Sequence, residues 1–114
     1  EDDNAEIKRA IECEGERILA AIPKGAAKIA LCVEGKKVTS EALSKMLTEL
    51  PHKGFSEAVF IIGSSHGLAD KVKSACDFRL SVSDMTVPHR LMRVILSEQL
   101  YRACTIEAQT GYHK

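Results

Sequence analysis

The chain's last three residues are Tyr112, His113 and Lys114. A phenol ring, an imidazole and an amine within three positions form one of the few reactive groupings in the sequence. Tyr112 could stack on a nucleobase, Lys114 could contact a phosphate, and His113 could donate or accept a proton. The same residues also read as a packed tyrosine anchoring the tail, with His113 and Lys114 solvated. Taken alone, the residues leave both readings open.

Three other stretches have the composition of ligand loops: "LCVEG" (31–35), "IIGSSHG" (61–67) and "SVSDMTVPH" (81–89). Glycine admits close approach to the backbone, and successive amides can hold a ribose, carboxylate or phosphate. Gly63 and Gly67 bracket a tight loop. Their spacing is neither a dinucleotide fingerprint nor a Walker loop, and no Lys-Ser/Thr follows, so phosphoryl transfer has no machinery here. Taken alone, each loop also reads as a simple turn. Cys13, Cys32, Cys76 and Cys104 are scattered, with no C-x-x-C pair and no zinc spacing, which argues against a metal site or a disulfide framework. Cys32 and Cys104 sit in apolar runs and read as core residues. His52 and His66 have no evident role.

The elements that would position these groups alternate in type. Ile7, Ile11, Ile18 and Ile22 recur near the helical period, and Pro23-Lys24-Gly25 ends that helix. "KIALCVEG" (28–35) reads as a buried strand closed by Gly35. Thr39 or Ser40 is a natural N-cap for a helix whose stripe is Leu43, Met46, Leu47 and Leu50, closed by Pro51 and Gly54. "EAVFIIG" (57–63) is continuously apolar, as a strand buried on both faces of a parallel sheet would be. A short helix over 67–75 and a strand "FRLSVS" (78–83) follow. Pro88 then opens a long helix to about Glu107. This order predicts an α/β fold with a parallel sheet and helices on both faces, in one domain spanning 1–114. Open α/β sheets bind ligands outside the carboxyl ends of their strands, where the three loops lie. The long helix is apolar around more than one face (Leu91, Met92, Val94, Ile95, Leu96, Leu100, Tyr101, Ala103, Ile106). That excess predicts either a central core helix or a partner helix, most simply a symmetry mate.

Composition narrows the partners. Lysine plus arginine equals aspartate plus glutamate at 16 each among 114 residues, so net charge is zero. Indiscriminate nucleic-acid binders carry a basic excess; a local basic patch remains open. Residues 1–20 hold seven acids and three bases, whereas 63–114 hold seven bases, five acids and three of the four histidines. An anionic partner is therefore expected at the C-terminal half. No apolar run approaches ~18 residues and no leader pattern appears, so the expectation is a reduced, cytoplasmic protein with no membrane span. The chain starts at Glu1 without an initiator methionine, as expected of a fragment or a processed product.

"SDMTVPHRLMRVILSEQLYRACTIEAQTGYHK" (83–114) closely resembles the C-terminal signature of the knotted, SPOUT-class ribosomal RNA methyltransferases of the RlmH family. "CEGERILAAI", "LCVEGKKVTSE" and "FIIGSSHGL" resemble the family's earlier blocks in the same order, so the resemblance covers nearly the whole chain. The family has Gly-Gly where this chain has Gly63-Ser64, and it begins with a further strand and helix ahead of the region matching Glu1. The resemblance implies a C-terminal trefoil knot, an exception to the rule against knots. It also implies a homodimer, S-adenosylmethionine as cofactor, and methylation of a pseudouridine at ring nitrogen 3 in 23S ribosomal RNA within the ribosome. Cofactor contacts would fall on Leu31, Gly63, Val82, Ser83, Asp84, Met85, Thr86 and Val87. The resemblance shifts Tyr112 and His113 toward catalysis, with His89 a second candidate for the proton. Arg90, Arg102, Tyr112 and Lys114 become candidate RNA contacts, beside Arg93; the arginines also read as ordinary solvated helix charges. A non-catalytic nucleotide-binding module and an inactive dimerising fragment are the alternatives.

Overall fold

A computed structural model of the chain describes residues 2–63, 67–83 and 87–108. Helix α1 (Asp2–Ala21) leads into strand β1 (Ala26–Lys37), helix α2 (Ser40–Glu49) and a 3-10 turn (Pro51–Lys53). Strand β2 (Glu57–Ile62), helix α3 (Asp70–Ala75), strand β3 (Phe78–Ser81) and helix α4 (His89–Ala108) follow. Local chemistry sets the boundaries. Thr39 caps α2, its hydroxyl accepting from the Ala42 amide at 3.0 Å. Pro51 stops α2, and Gly54 turns the chain at φ 95°, a value that favours glycine. The Pro88 carbonyl accepts the first bond of α4, from the Met92 amide at 2.8 Å.

The three strands form a parallel sheet in the order β2-β1-β3. Each crossover carries a helix, as parallel neighbours require. Alternate residues of β1 serve opposite layers. Ala27, Ile29 and Leu31 pack with Leu43 and Leu50 of the α2 region, Leu80, and Ala103 of α4. Ala30 packs with Ile61, Leu68, Ala69 and Val72, against which Ile11, Ile18 and Leu19 of α1 lie. Helices thus cover both faces, as the alternating pattern predicts. The trefoil knot does not show in the described residues.

Three sequence expectations are corrected. Strand β1 is longer than 28–35, and it is buried only through Leu31; Val33 is 47 % exposed. Pairing with β2 ends at Leu31↔Ile62, so the later residues lie beyond that neighbour. Strand β2 is half-buried rather than buried on both faces, because it lies at the sheet edge. Cys104 is exposed and Cys32 half-buried, so neither is a core residue. On α4, Cys104 lies outside the face that packs through Met92, Leu96 and Ala103.

Candidate functional site

Strand register brings the three loops together. Leu31 pairs with Ile62 on one side and with Leu80 on the other. Gly63 therefore starts one residue beyond Leu31, and Val82 starts two residues beyond it on the opposite flank. These are carboxyl ends of neighbouring parallel strands, where such sheets hold ligands. Beside them lies a cavity of about 280 Å³. Its apolar wall includes Leu31, Val38, Phe60, Leu80, Val82 and Ile95; its polar groups come from Thr39, Ser40, Ser81 and Gln99. A mostly apolar slot with a few placed polar groups suits a nucleoside-like ligand.

Two of those polar groups tie helices together. The Ser40 hydroxyl donates to the Gln99 carboxamide oxygen at 2.5 Å, and one turn later the Ser44 hydroxyl donates to the Ala103 carbonyl at 2.9 Å. The two bonds fix α4 against the start of α2 and so set the cavity's width. Ser81 donates to the Ser83 carbonyl at 2.9 Å and shapes the turn leaving β3.

The candidate residues divide accordingly. Leu31 and Val82 line the cavity, and Ser83 borders it through Ser81. Gly63 does not line it. A Cβ at Gly63 would lie 2.8 Å from the Gly67 carbonyl carbon and 2.9 Å from its oxygen. Absence of a side chain there lets the loop fold back on itself, rather than simply opening space for a ligand. Val87 is half-buried just before α4. Arg90 is exposed in the first turn of α4, and Arg102 is ion-paired with Glu98 at 2.8 Å. Twelve positions separate these arginines, about 18 Å along the axis at 1.5 Å per residue, so they form no single patch. Asp84, Met85, Thr86, Tyr112, His113 and Lys114 lie outside the described residues. Thr39, Ser40 and Gln99 were not sequence candidates as cavity groups. Thr39 and Ser40 read only as caps, and nothing in the sequence pairs Ser40 with a residue 59 positions away.

Ionic contacts brace the surroundings. Lys73 holds Glu34 at 2.5 Å. That bond lowers the Glu34 carboxyl and raises the Lys73 amine from their ordinary pKa values. Burial first, and then the Glu34 charge, pushes the Cys32 thiol up; burial and Asp77 do the same at Cys76. Neither is an activated nucleophile. Among the described residues no group of three or more His, Cys, Asp or Glu side chains could hold a metal, and no helix is long and apolar enough to cross a membrane.

Residues 1–113 match the family model described as "Predicted SPOUT methyltransferase". A protein of Streptococcus pneumoniae strain CGSP14 named "Ribosomal RNA large subunit methyltransferase H" is 46% identical over 110 residues, which is 96% of this chain and 69% of the relative. Proteins of the same name from strains 70585 and TIGR4 match with the same identity and coverage.

Proposed function

This chain belongs to the SPOUT methyltransferase family, and from that premise we propose that it is a ribosomal RNA methyltransferase of the RlmH type. In this reading it uses S-adenosylmethionine to methylate a pseudouridine of 23S RNA at ring nitrogen 3. The carrying observation is the meeting of three parallel strand ends beside an apolar cavity, in a chain matched along its length by methyltransferases. The cavity fits the cofactor's chemistry: apolar walls suit a purine, and the Ser40, Gln99 and Thr39 side chains offer polar contacts.

Bound S-adenosylmethionine supplies a methyl group on a sulfonium leaving group, so the protein's task is alignment and removal of one proton. Leu31 and Val82, which line the cavity, would hold the apolar part of the cofactor. Ser83 and Val87, with Asp84, Met85 and Thr86, would contact it from the β3 side, and Gly63 would shape the loop that approaches it from the β2 side. Tyr112 stacks on the target base, His113 takes the proton of the ring nitrogen, and Lys114 and Arg90 hold phosphates. In this reading the chain is a single domain with a C-terminal knot, working in the cytoplasm as a homodimer. The exposed Leu91, Val94 and Tyr101 of α4, at 50, 64 and 58 %, support the dimer. The neighbouring subunit's tail then completes each site.

The test is transfer of a labelled methyl group to ribosomes lacking the modification. Label on pseudouridine of the large-subunit RNA is the expected result. Cofactor binding without transfer would instead make the chain a binding module, and a folded dimer that binds no cofactor would make it an inactive fragment.

A further inference from the structure

Strand β1 does something its sequence does not announce. Its pairing with β3 runs regularly to Leu31↔Leu80, breaks, and resumes with Lys36↔Leu80 and Lys37↔Ser81. Leu80 is therefore met twice, and the intervening residues loop out over β3. Gly35 makes this possible: a Cβ there would stand 2.6 Å from the Leu80 carbonyl carbon and 2.7 Å from its nitrogen. The loop is also pinned from α3, where Lys73 holds Glu34 at 2.5 Å. The result is an ordered projection whose next residue, Lys36, stands on the sheet two positions short of Val82.

We propose that Lys36 is a contact for the RNA sugar–phosphate backbone, delivered to the rim of the cofactor site by the looped-out segment of β1. The inference rests on the reading of the chain as an RNA methyltransferase. Nearby basic groups are otherwise engaged: Lys73 is neutralised by Glu34, and Arg79 donates to the Lys73 carbonyl at 2.8 Å. The Lys36 side chain is exposed and makes no ion pair or hydrogen bond among the described residues. Its neighbour Lys37 points to the other face of the strand, since successive side chains alternate. A protein with no net charge has no general attraction for a polyanion, so phosphate contacts must be local. A lysine on a pinned strand supplies one beside the rim of the cavity. As a point charge it positions the RNA without reading its sequence.

The experiment compares Lys36→Ala, Lys36→Arg and, as a control on the exposed surface of α1, Lys8→Ala. Ribosome methylation is measured across a potassium chloride series, cofactor affinity by calorimetry, and binding to a 23S RNA fragment by filter retention. For Lys36→Ala, KM for ribosomes and Kd for the fragment should rise roughly five- to tenfold, and the salt slope should fall by about one. Its kcat and cofactor affinity should hold, Lys36→Arg should recover most of the loss, and Lys8→Ala should match wild type. Unchanged RNA affinity and salt slope in Lys36→Ala would overturn the assignment. So would a loss of cofactor affinity with the slope intact, which would place Lys36 on the cofactor. Should the wild type fail to methylate ribosomes, the functional reading falls on its own, and the filter assay still decides whether Lys36 meets RNA.

Discussion

Gly35 and Gly63 are occupied by glycine for different reasons. At Gly35 a side chain would enter the backbone of β3, which cannot move aside without breaking the sheet. Gly35→Ala should cost on the order of 2 kcal/mol, the scale of forced overpacking, and lower the thermal midpoint by roughly 10 °C for a domain of this size. An unchanged melting curve would show that the strand loops out some other way. At Gly63 the obstacle is the returning loop at Gly67. Gly63→Val should weaken S-adenosylmethionine binding at least tenfold by distorting that loop, as isothermal titration would read. The glycines were visible in the sequence as ligand-loop residues. What each one touches was not, because the contact belongs to a strand or loop distant in the chain or to a fold-back that spacing alone does not describe.

Helices α2 and α4 are joined by two serine bonds of unequal exposure. Ser44 is buried and satisfies the Ala103 carbonyl, so Ser44→Ala should lose about 1 kcal/mol in urea unfolding. Among the described residues the Thr48 hydroxyl donates only to the Ser44 carbonyl of its own helix, and Thr48→Ala should change almost nothing. Equal losses would mean that helix propensity, and not the link between helices, governs both. On the opposite side of α4, Val94→Asp should leave the fold intact and convert a dimer to monomers in sedimentation. A wild-type monomer at micromolar concentration would remove the dimer from the proposal. At this scale the sequence was highly legible. The periodic apolar stripes and the Pro and Gly stops located every helix and strand named above to within a few residues. It failed where burial depends on neighbours: β2 looked doubly buried because its apolar run cannot reveal an edge position, and Cys104 looked internal because one residue does not reveal which way a helix is rotated.

Across the molecule, acid and base balance to zero and the sequence pI is near 7.1, so solubility should be lowest close to neutral pH. The Glu34–Lys73 pair ties the β1 projection to α3. Because folding lowers the Glu34 pKa, its stabilisation is present above the ordinary carboxylate range and is lost as pH falls through the folded value. Half of Glu34 is solvent-exposed, which limits the effect to about 0.5 kcal/mol. Urea unfolding at pH 7 and pH 3 should show Glu34→Gln less stable than wild type at the higher pH and equal to it at the lower. A gap that persists at pH 3 would assign the loss to packing instead. Folding raises the Lys73 pKa, so its share persists below the ordinary lysine range and is lost as pH rises through the folded value.

The sheet order also determines how the chain can fold. Strand β1 is central, yet it precedes both of its partners in the chain: Ala26 waits for Glu57, and Ile29 for Phe78. Among the described residues no hairpin seeds the sheet, and both strand pairings close a long loop before any contact repays it. During synthesis, "AAKIALCV" emerges ahead of both strands that flank it here, and neither pairing can form until β2 has followed. A nascent chain halted just before Glu57 would hold that apolar segment without either of these partners, and chaperone capture at this length should exceed capture of chains halted beyond Ser81.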